Sequence, residues 1–384
     1  MKIGHLVGIA AALGALVLVE LYSSRKVKNA EDFDKGGGHS GIMLVCGALL
    51  GSLIGGQSTI GTAQLAYVYG LSAIWFTLGA ALGCVALFLG YVIPLRKSHD
   101  TTLMEVIGDE FGKGAEYIGS VLCSAGMIIS IISNVIASAA LITAMTGCAL
   151  WIACLISVLL MCAYIVFGGV IGAGMGGIVK LVLLYLTSII CIGLVILMGM
   201  RGQTNAFTEI HLADLFARGI TRETCNCLSL ILGVLSTQTY AQAIWSARSY
   251  HVARKAALIS GLLCIPVGFG GVLIGLAMRL TIMIVLGITG MAAVMLPGAI
   301  INDLGFLSMG LRGSVVFVPL SLALFLKNRF RAEAVLAAML CGPLALVLTE
   351  LFSFGAEPLM VGIGVSLLIC ALGYKKREGK ELSA

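Results

Sequence analysis

Charge is what this chain has least of. Only 11% of its 384 residues are charged, where a soluble domain of ordinary composition runs near 25%. So low a share argues against a water-soluble globular protein. The formal net charge of +6 is no nucleic-acid signal either, because the basic residues cluster beside apolar runs and read as topology markers. Groups that do chemistry are sparse at depth. The histidines (His5, His39, His99, His211 and His251) all fall at ends or in loops, and the few acids inside apolar runs, Glu20 and Glu350 among them, lie near the ends of those runs. With no catalytic constellation and no metal-ligand spacing, a membrane enzyme is disfavoured. No ring-forming repeat or filter motif points to a channel. Twelve cysteines are present without a single Cys-x-x-Cys pair, and Cys225 and Cys227 are too close for an easy disulfide. They read as small buried hydrophobes in helices. Proline is scarce, with 6 residues against 50 glycines, and abundant glycine suits close helix packing in lipid.

What the chain does have is apolar sequence: 59% hydrophobic residues and a mean hydropathy of +1.07. Runs long enough to span a bilayer, at about 20 residues each, fall near 3–22, 41–66, 71–95, 115–145, 149–168, 176–200, 225–246, 254–278, 281–301, 306–326, 333–352 and 358–374. Continuous runs of this length are helices rather than strands of a barrel. The expectation is an all-α polytopic membrane protein with about twelve transmembrane helices and no soluble domain. The N-terminal run is followed at once by Arg25, Lys26 and Lys28 with no cleavage signature, which reads as an anchor helix with its N-terminus outside. Basic clusters at 25–35, 96–113, 248–255, 327–331 and 375–380 should all be cytoplasmic, placing the C-terminus inside. The segment 108–116 reads as a short amphipathic helix under the bundle, and Arg312, inside the 306–326 run, as facing a polar pocket or the interface. One conflict remains. Between Lys255 and Lys327 lie three apparent spans, and an odd number of crossings cannot begin and end on one side.

Two spans carry polar interruptions. The first reads GSLIGGQSTIGTAQLAYVYG (51–70), the second STQTYAQ (236–242). Glycines with hydroxyl and amide residues inside a span predict a discontinuous helix, whose freed backbone groups are tolerated at depth only where they are buried in protein or line a polar cavity. Such carbonyl and hydroxyl oxygens suit a hard cation. A pair of interruptions in two halves is the sequence pointer to a transport site, against the plainer reading that these side chains merely bond between helices.

The stretches EDFDKGGGHSG (31–41), GGQSTIGTAQLAYVYGLSAIWFTLG (55–79), TTLMEVIGDEFG (101–112), QTYAQAIWSARSYHVARKAALISG (238–261) and FLSMGLRGSVVFVPLSLALF (306–325) resemble, in this order, segments of the sodium:solute symporter family. The resemblance covers most of the chain. It implies a leucine-transporter-type five-plus-five inverted repeat within one membrane domain over 1–384. An extra N-terminal helix would occupy 1–24, the first repeat 41–200, a second and shortened repeat 225–326, and extra C-terminal helices 333–374. It implies Na⁺-driven uptake of a small solute across the cytoplasmic membrane, with Na⁺ as coupling ion and no other cofactor. Carried over, the family's sodium site falls on Gly56 and Thr59 with Ser58 beside them. Its solute contacts fall on Gln57, Gln64, Thr237, Gln238 and Gln242. Ser130 and Asn134 of the third core helix are further candidates, with helix packing as their plainer role.

The chain departs from the family pattern twice. In GGVIGAGMGGIVK (168–180) the family's Thr-Asp pair falls on Gly176 and Gly177, and its Gln falls on Lys180. Lys180 on the plainer reading snorkels to the cytoplasmic surface; on the other, its ammonium stands in for an ion or carries a proton. Further on, 262–279 resembles core helix seven and 279–301 resembles core helix nine, so core helix eight, which supplies hydroxyl ligands to the ion, is missing. No Ser-Ser or Ser-Thr pair stands in 280–304. The expectation is Na⁺ coupling weakened by that loss. A transport-inactive scaffold or sensor on the same fold, and a proton-coupled transporter using Lys180, stay open as alternatives. So does a segment 281–301 that re-enters without crossing, which would repair the parity. The substrate is not legible in any residue.

Overall fold

In hydrocarbon a backbone must satisfy its own hydrogen bonds, and an apolar chain does so by coiling into helices. The computed structural model describes residues 3–24, 38–98, 100–165, 169–200, 214–281, 301–352 and 355–375. Among these, only two isolated bridges depart from a helical architecture. The helices are α1 (Ile3–Ser24), α2 (Ile42–Leu53), α3 (Thr62–Tyr69), α4 (Trp75–Ala86), α5 (Val92–Ser98), α6 (Leu103–Phe111), α7 (Lys113–Thr146), α8 (Leu150–Ile165), α9 (Gly169–Met200), α10 (Ile220–Leu235), α11 (Gln238–Ser246), α12 (Tyr250–Thr281), α13 (Ile301–Arg312), α14 (Val318–Phe325), α15 (Ala332–Phe352) and α16 (Pro358–Leu372). Among the described residues six helices are long and apolar enough to cross a membrane, or seven when the bent pair α10–α11 is counted as one span. Every expected span except 281–301 falls on helix; that one lies almost wholly outside the described residues. Large side chains such as Leu89, Leu159, Ile189, Ile190 and Leu368 are more than half exposed, a surface suited to lipid rather than water.

Small residues let the backbones meet. A Cβ added at Gly177 of α9 would lie 1.9 Å from the Gly47 carbonyl oxygen of α2, and one at Gly275 of α12 would lie 2.3 Å from the Ala63 carbonyl oxygen of α3. Only glycine permits such approach.

The basic clusters at 96–113, 248–255 and 327–331 converge on one end, while 25–35 and 376–380 lie outside the described residues. Ser40 N–H donates to the Ser246 carbonyl (2.9 Å) and Arg248 N–H to the Ser40 carbonyl (3.0 Å), pinning the entry of α2 to the exit of α11. Arg96 Nη1 caps the last carbonyls of α11 at Ile244 (3.2 Å), Trp245 (2.9 Å) and Ala247 (2.6 Å). Asn328 N–H bonds the Glu110 carboxylate, and Arg331 N–H donates to the Gly373 carbonyl at 3.0 Å. The segment 108–116 is the end of α6, which buries Leu103, Met104, Val106, Ile107 and Phe111, and the start of α7.

The described helices bear on the parity conflict, although 282–300 lies outside them. α12 leaves the basic end beside Arg248 and reaches Ala63 of α3 at Gly275. α13 begins at the opposite end, where Asp303 pairs with Arg218, and α14 returns to the basic end. Two described crossings therefore separate Lys255 from Lys327, and that number is even.

Candidate functional site

The Gly-Gly-Gln-Ser-Thr stretch breaks its helix. α2 stops at Leu53 and Ile54 turns extended (φ −95°, ψ 96°). The chain then resumes through a π-helical turn, Gln57–Gly61, before α3. π-Helical turns recur at functional sites. The hydroxyls close back on the break. Ser58 Oγ accepts from Gly55 N–H (2.8 Å) and lies 3.1 Å from the Gly55 carbonyl, to which Thr59 Oγ1 also donates at 2.9 Å. A third residue faces the turn from α7: a Cβ on Gly55 would lie 3.0 Å from Asn134 Oδ1, and one on Gly56 would lie 2.9 Å from Ala137 Cβ.

Around this break, buried polar atoms stand without a hydrogen-bond partner among the described residues. They are Gln57 Nε2, Thr62 Oγ1 and both amide atoms of Asn302. Asn302 is fully buried and Gln57 is 6% exposed. Asn302 sits on Gly61 and Gln57 on Gly305, so α13 lies along the broken segment. Gln64 Oε1 accepts from Ile301 N–H at 3.2 Å. Native interiors leave few polar groups unpaired, and each such group calls for an explanation.

The second interruption also breaks. α10 and α11 meet at 49°, with Ser236 and Thr237 between them. Thr237 Oγ1 donates to the Gly233 carbonyl (2.6 Å) and accepts from Arg312 Nη1 (3.0 Å). Both broken helices thus pack against α13, and the first break against α7 as well.

A family model of the sodium:solute symporter family matches residues 35–351. The chain belongs to the sodium:solute symporter family. The symporter-family protein shares its fold with a Na⁺-coupled sialic acid symporter solved in a substrate-bound, outward-open state. That likeness has a TM-score of 0.76 at 14% identity, covering 94% of this chain and 95% of the other. The architecture is the all-helical leucine-transporter type. Membership makes this a multi-pass membrane protein of a family whose coupling ion is Na⁺ and whose cargo is a small solute. No curated protein matches the chain.

Within the family member, the expected residues divide. Gly56, Gln57, Ser58, Thr59, Gln64 and Asn134 gather at the first break and Thr237 at the second. Gln238 is turned elsewhere: its Oε1 accepts from Leu103 N–H (2.8 Å) and its Nε2 donates to the Thr101 carbonyl (3.0 Å). It clamps the turn that leads into α6. Gln242 lies half-buried one turn further along α11. Asn134 Nδ2 donates to the Ser130 carbonyl (2.9 Å), leaving its Oδ1 toward Gly55. Lys180 does not snorkel outward; its Nζ donates to the Gly51 carbonyl at 3.1 Å. That carbonyl lies in the last turn of α2, where a cation is favoured by the helix dipole.

Asn302 and Thr62 were not singled out from sequence. Asn302 follows an apolar run that read as a separate span, so its side chain carried no helix-face signal. A further missed group caps the opposite end. Arg218, with a side chain 3% exposed, pairs with the fully buried Glu223 (2.8 Å) and with Asp303 (2.7 Å), under the rings of Tyr69 and Phe306. Beside it opens a cavity of about 380 Å³ bounded by Arg222, Asn226, Asp303 and Glu350, and none of the expected site residues lines it.

Proposed function

We propose that the protein is a Na⁺-coupled symporter carrying a small solute inward across the cytoplasmic membrane, N-terminus outside and C-terminus inside. The observation that carries this reading is the cluster of unpartnered buried amide and hydroxyl atoms, Gln57 Nε2, Thr62 Oγ1 and Asn302, against an unwound helix. Polar groups left open at membrane depth mark a place where a polar cargo binds. Gly56, Ser58 and Thr59 would offer oxygens to Na⁺. Gln57, Gln64, Asn134 and Thr237 would meet the solute, with Asn302 added from α13; Gln238 is assigned to structure. The carbonyl of Thr59 faces Gly271 of α12 rather than a hydroxyl pair, which supports weak Na⁺ affinity. The test is uptake into proteoliposomes under an inward Na⁺ gradient, beside thermal unfolding in Na⁺ and in K⁺. Na⁺-specific stabilisation with gradient-driven uptake is the expected result. Neither would be seen for a transport-inactive scaffold.

One observation favours a second reading, in which protons drive transport. Lys180 holds its ammonium on the Gly51 carbonyl, a turn before the break, in a position from which it would compete with Na⁺. Uptake driven by a pH gradient in Na⁺-free buffer, and lost in Lys180→Met, would establish it.

A further inference from the structure

Arg312 is a cation in the middle of an apolar span, and among the described residues nothing acidic meets it. It is 2% exposed. Its Nε donates to the Ser308 carbonyl (3.2 Å), one terminal nitrogen to Ser308 Oγ (3.1 Å) and the other to Thr237 Oγ1 (3.0 Å). The remaining contacts are to sulfur: Nη1 to Met127 Sδ at 3.2 Å and Nη2 to Met309 Sδ at 3.1 Å. Among the described residues no ion pair includes Arg312, and residues 282–300, which lead into α13, contain no Asp or Glu. The contrast with Arg218, equally buried but held by two carboxylates, is direct.

A buried charge without a counter-charge is costly, and a thioether is a weak acceptor. The two sulfurs occupy the two terminal nitrogens of the guanidinium, which is where the two oxygens of a carboxylate dock in the bidentate arrangement that arginine favours. Methionine side chains are flexible and repack readily. Glycine lets this group pack at backbone distance, since a Cβ on Gly233 would lie 2.6 Å from Met309 Sδ and one on Gly126 2.7 Å from Arg312 Cγ. The guanidinium also sits on Thr237, the residue at which α10 breaks from α11.

We propose that Arg312 receives the carboxylate of the transported solute, the thioethers of Met127 and Met309 standing aside as it enters. This rests on the transport reading and narrows it to small organic acids. The position sets a length. Met127 and Asn134 are separated by two turns of α7, about 10 Å. An acid held at Arg312 reaches the first break only if its polar end lies roughly that far from its carboxylate.

The experiment is thermal unfolding of the purified protein in NaCl and in KCl. Lactate, nicotinate and N-acetylneuraminate are each compared with a neutral partner: lactamide, nicotinamide and the methyl ester of N-acetylneuraminate. Sodium phosphate controls for bulk anion effects. In Na⁺, at least one acid should stabilise the wild type and its neutral partner should not. In Arg312→Gln the acid's apparent affinity should fall at least tenfold and the acid-over-neutral preference should vanish, while stabilisation by Na⁺ alone persists. A purely structural arginine would leave that preference intact. If Arg312→Gln does not purify folded, Arg312→Lys carries the test, keeping the charge and losing the fork, with an expected loss of about tenfold in acid affinity. The assignment is overturned if no acid stabilises wild type that responds to Na⁺, if neutral partners or phosphate do as well as acids, or if Arg312→Gln keeps the preference. Wild type that ignores Na⁺ overturns the transport reading, and the assignment with it.

Discussion

Asn302 is fully buried with neither amide atom paired, and Gln57 Nε2 is in the same state. Leaving such atoms unsatisfied costs on the order of 1–3 kcal/mol each, and replacing them by apolar groups of similar shape is neutral or stabilising. Asn302→Leu and Gln57→Leu should therefore hold or raise the melting temperature while Na⁺-driven uptake drops tenfold or more. Stability and function move in opposite directions where a site stores open polar groups; a fall in both would make these residues packing elements. Gly177 makes the complementary case. With 1.9 Å between its would-be Cβ and the Gly47 carbonyl oxygen, Gly177→Val must push α9 off α2. Overpacking of this kind costs roughly 1–3 kcal/mol or more. Gly193 of the same helix, with nothing within 4 Å, should accept alanine with no loss of melting temperature. Gly177 thus lets two backbones touch, and one turn on Lys180 Nζ lies 3.1 Å from the Gly51 carbonyl.

At the level of elements, the two breaks were legible because hydroxyl and amide residues beside glycine are incompatible with a lipid-facing helix, whatever surrounds them. The partners of those residues were not legible. Gln57 and Gln238 follow the same local logic, polar at a break, yet one is left open and the other is bonded to Thr101 and Leu103. Only the packing of α11 against the turn before α6 decides which. Gln238→Ala should accordingly lower stability by about 1–3 kcal/mol by stranding Leu103 N–H, with the Na⁺ concentration for half-maximal thermal shift unchanged. A changed Na⁺ response with unchanged stability would return Gln238 to the binding site. The helices themselves followed from apolar run length, and their ends drifted only where polar punctuation was weak. Asn302 was hidden because it fell in the gap between the expected spans 281–301 and 306–326, and a hydropathy trace has no means of showing which side chains of a buried helix face a glycine.

Across the whole molecule, charge sorts the two ends. Basic clusters distant in sequence meet at one end through Arg96, Arg248 and Arg331, the segregation that the proposed orientation calls for. The opposite end is closed by Arg218, Glu223 and Asp303, which tie the start of α10 to the start of α13. Both helices carry residues of the proposed site, α10 with Thr237 at its break and α13 with Asn302 and Arg312. This ion cluster therefore links α10 to α13 at that end, and on the proposed orientation it should act as an outer latch. Glu223 is fully buried. Arg218→Met would strand its charge, at about 3–5 kcal/mol, and should lower the melting temperature sharply. Pairing it with Glu223→Leu should recover most of that loss, because both charges then leave together. Asp303, 36% exposed, holds the latch without being stranded by its loss. Asp303→Asn should fold normally and loosen only the link between α10 and α13. Its readout is Cys225, which is 2% exposed yet borders the cavity beside the latch. In a Cys148→Ser background, a membrane-impermeant maleimide added outside right-side-out vesicles should label Cys225 several-fold faster in Asp303→Asn than in the parent. Unchanged labelling would mean that the cluster supports the fold without gating access to it.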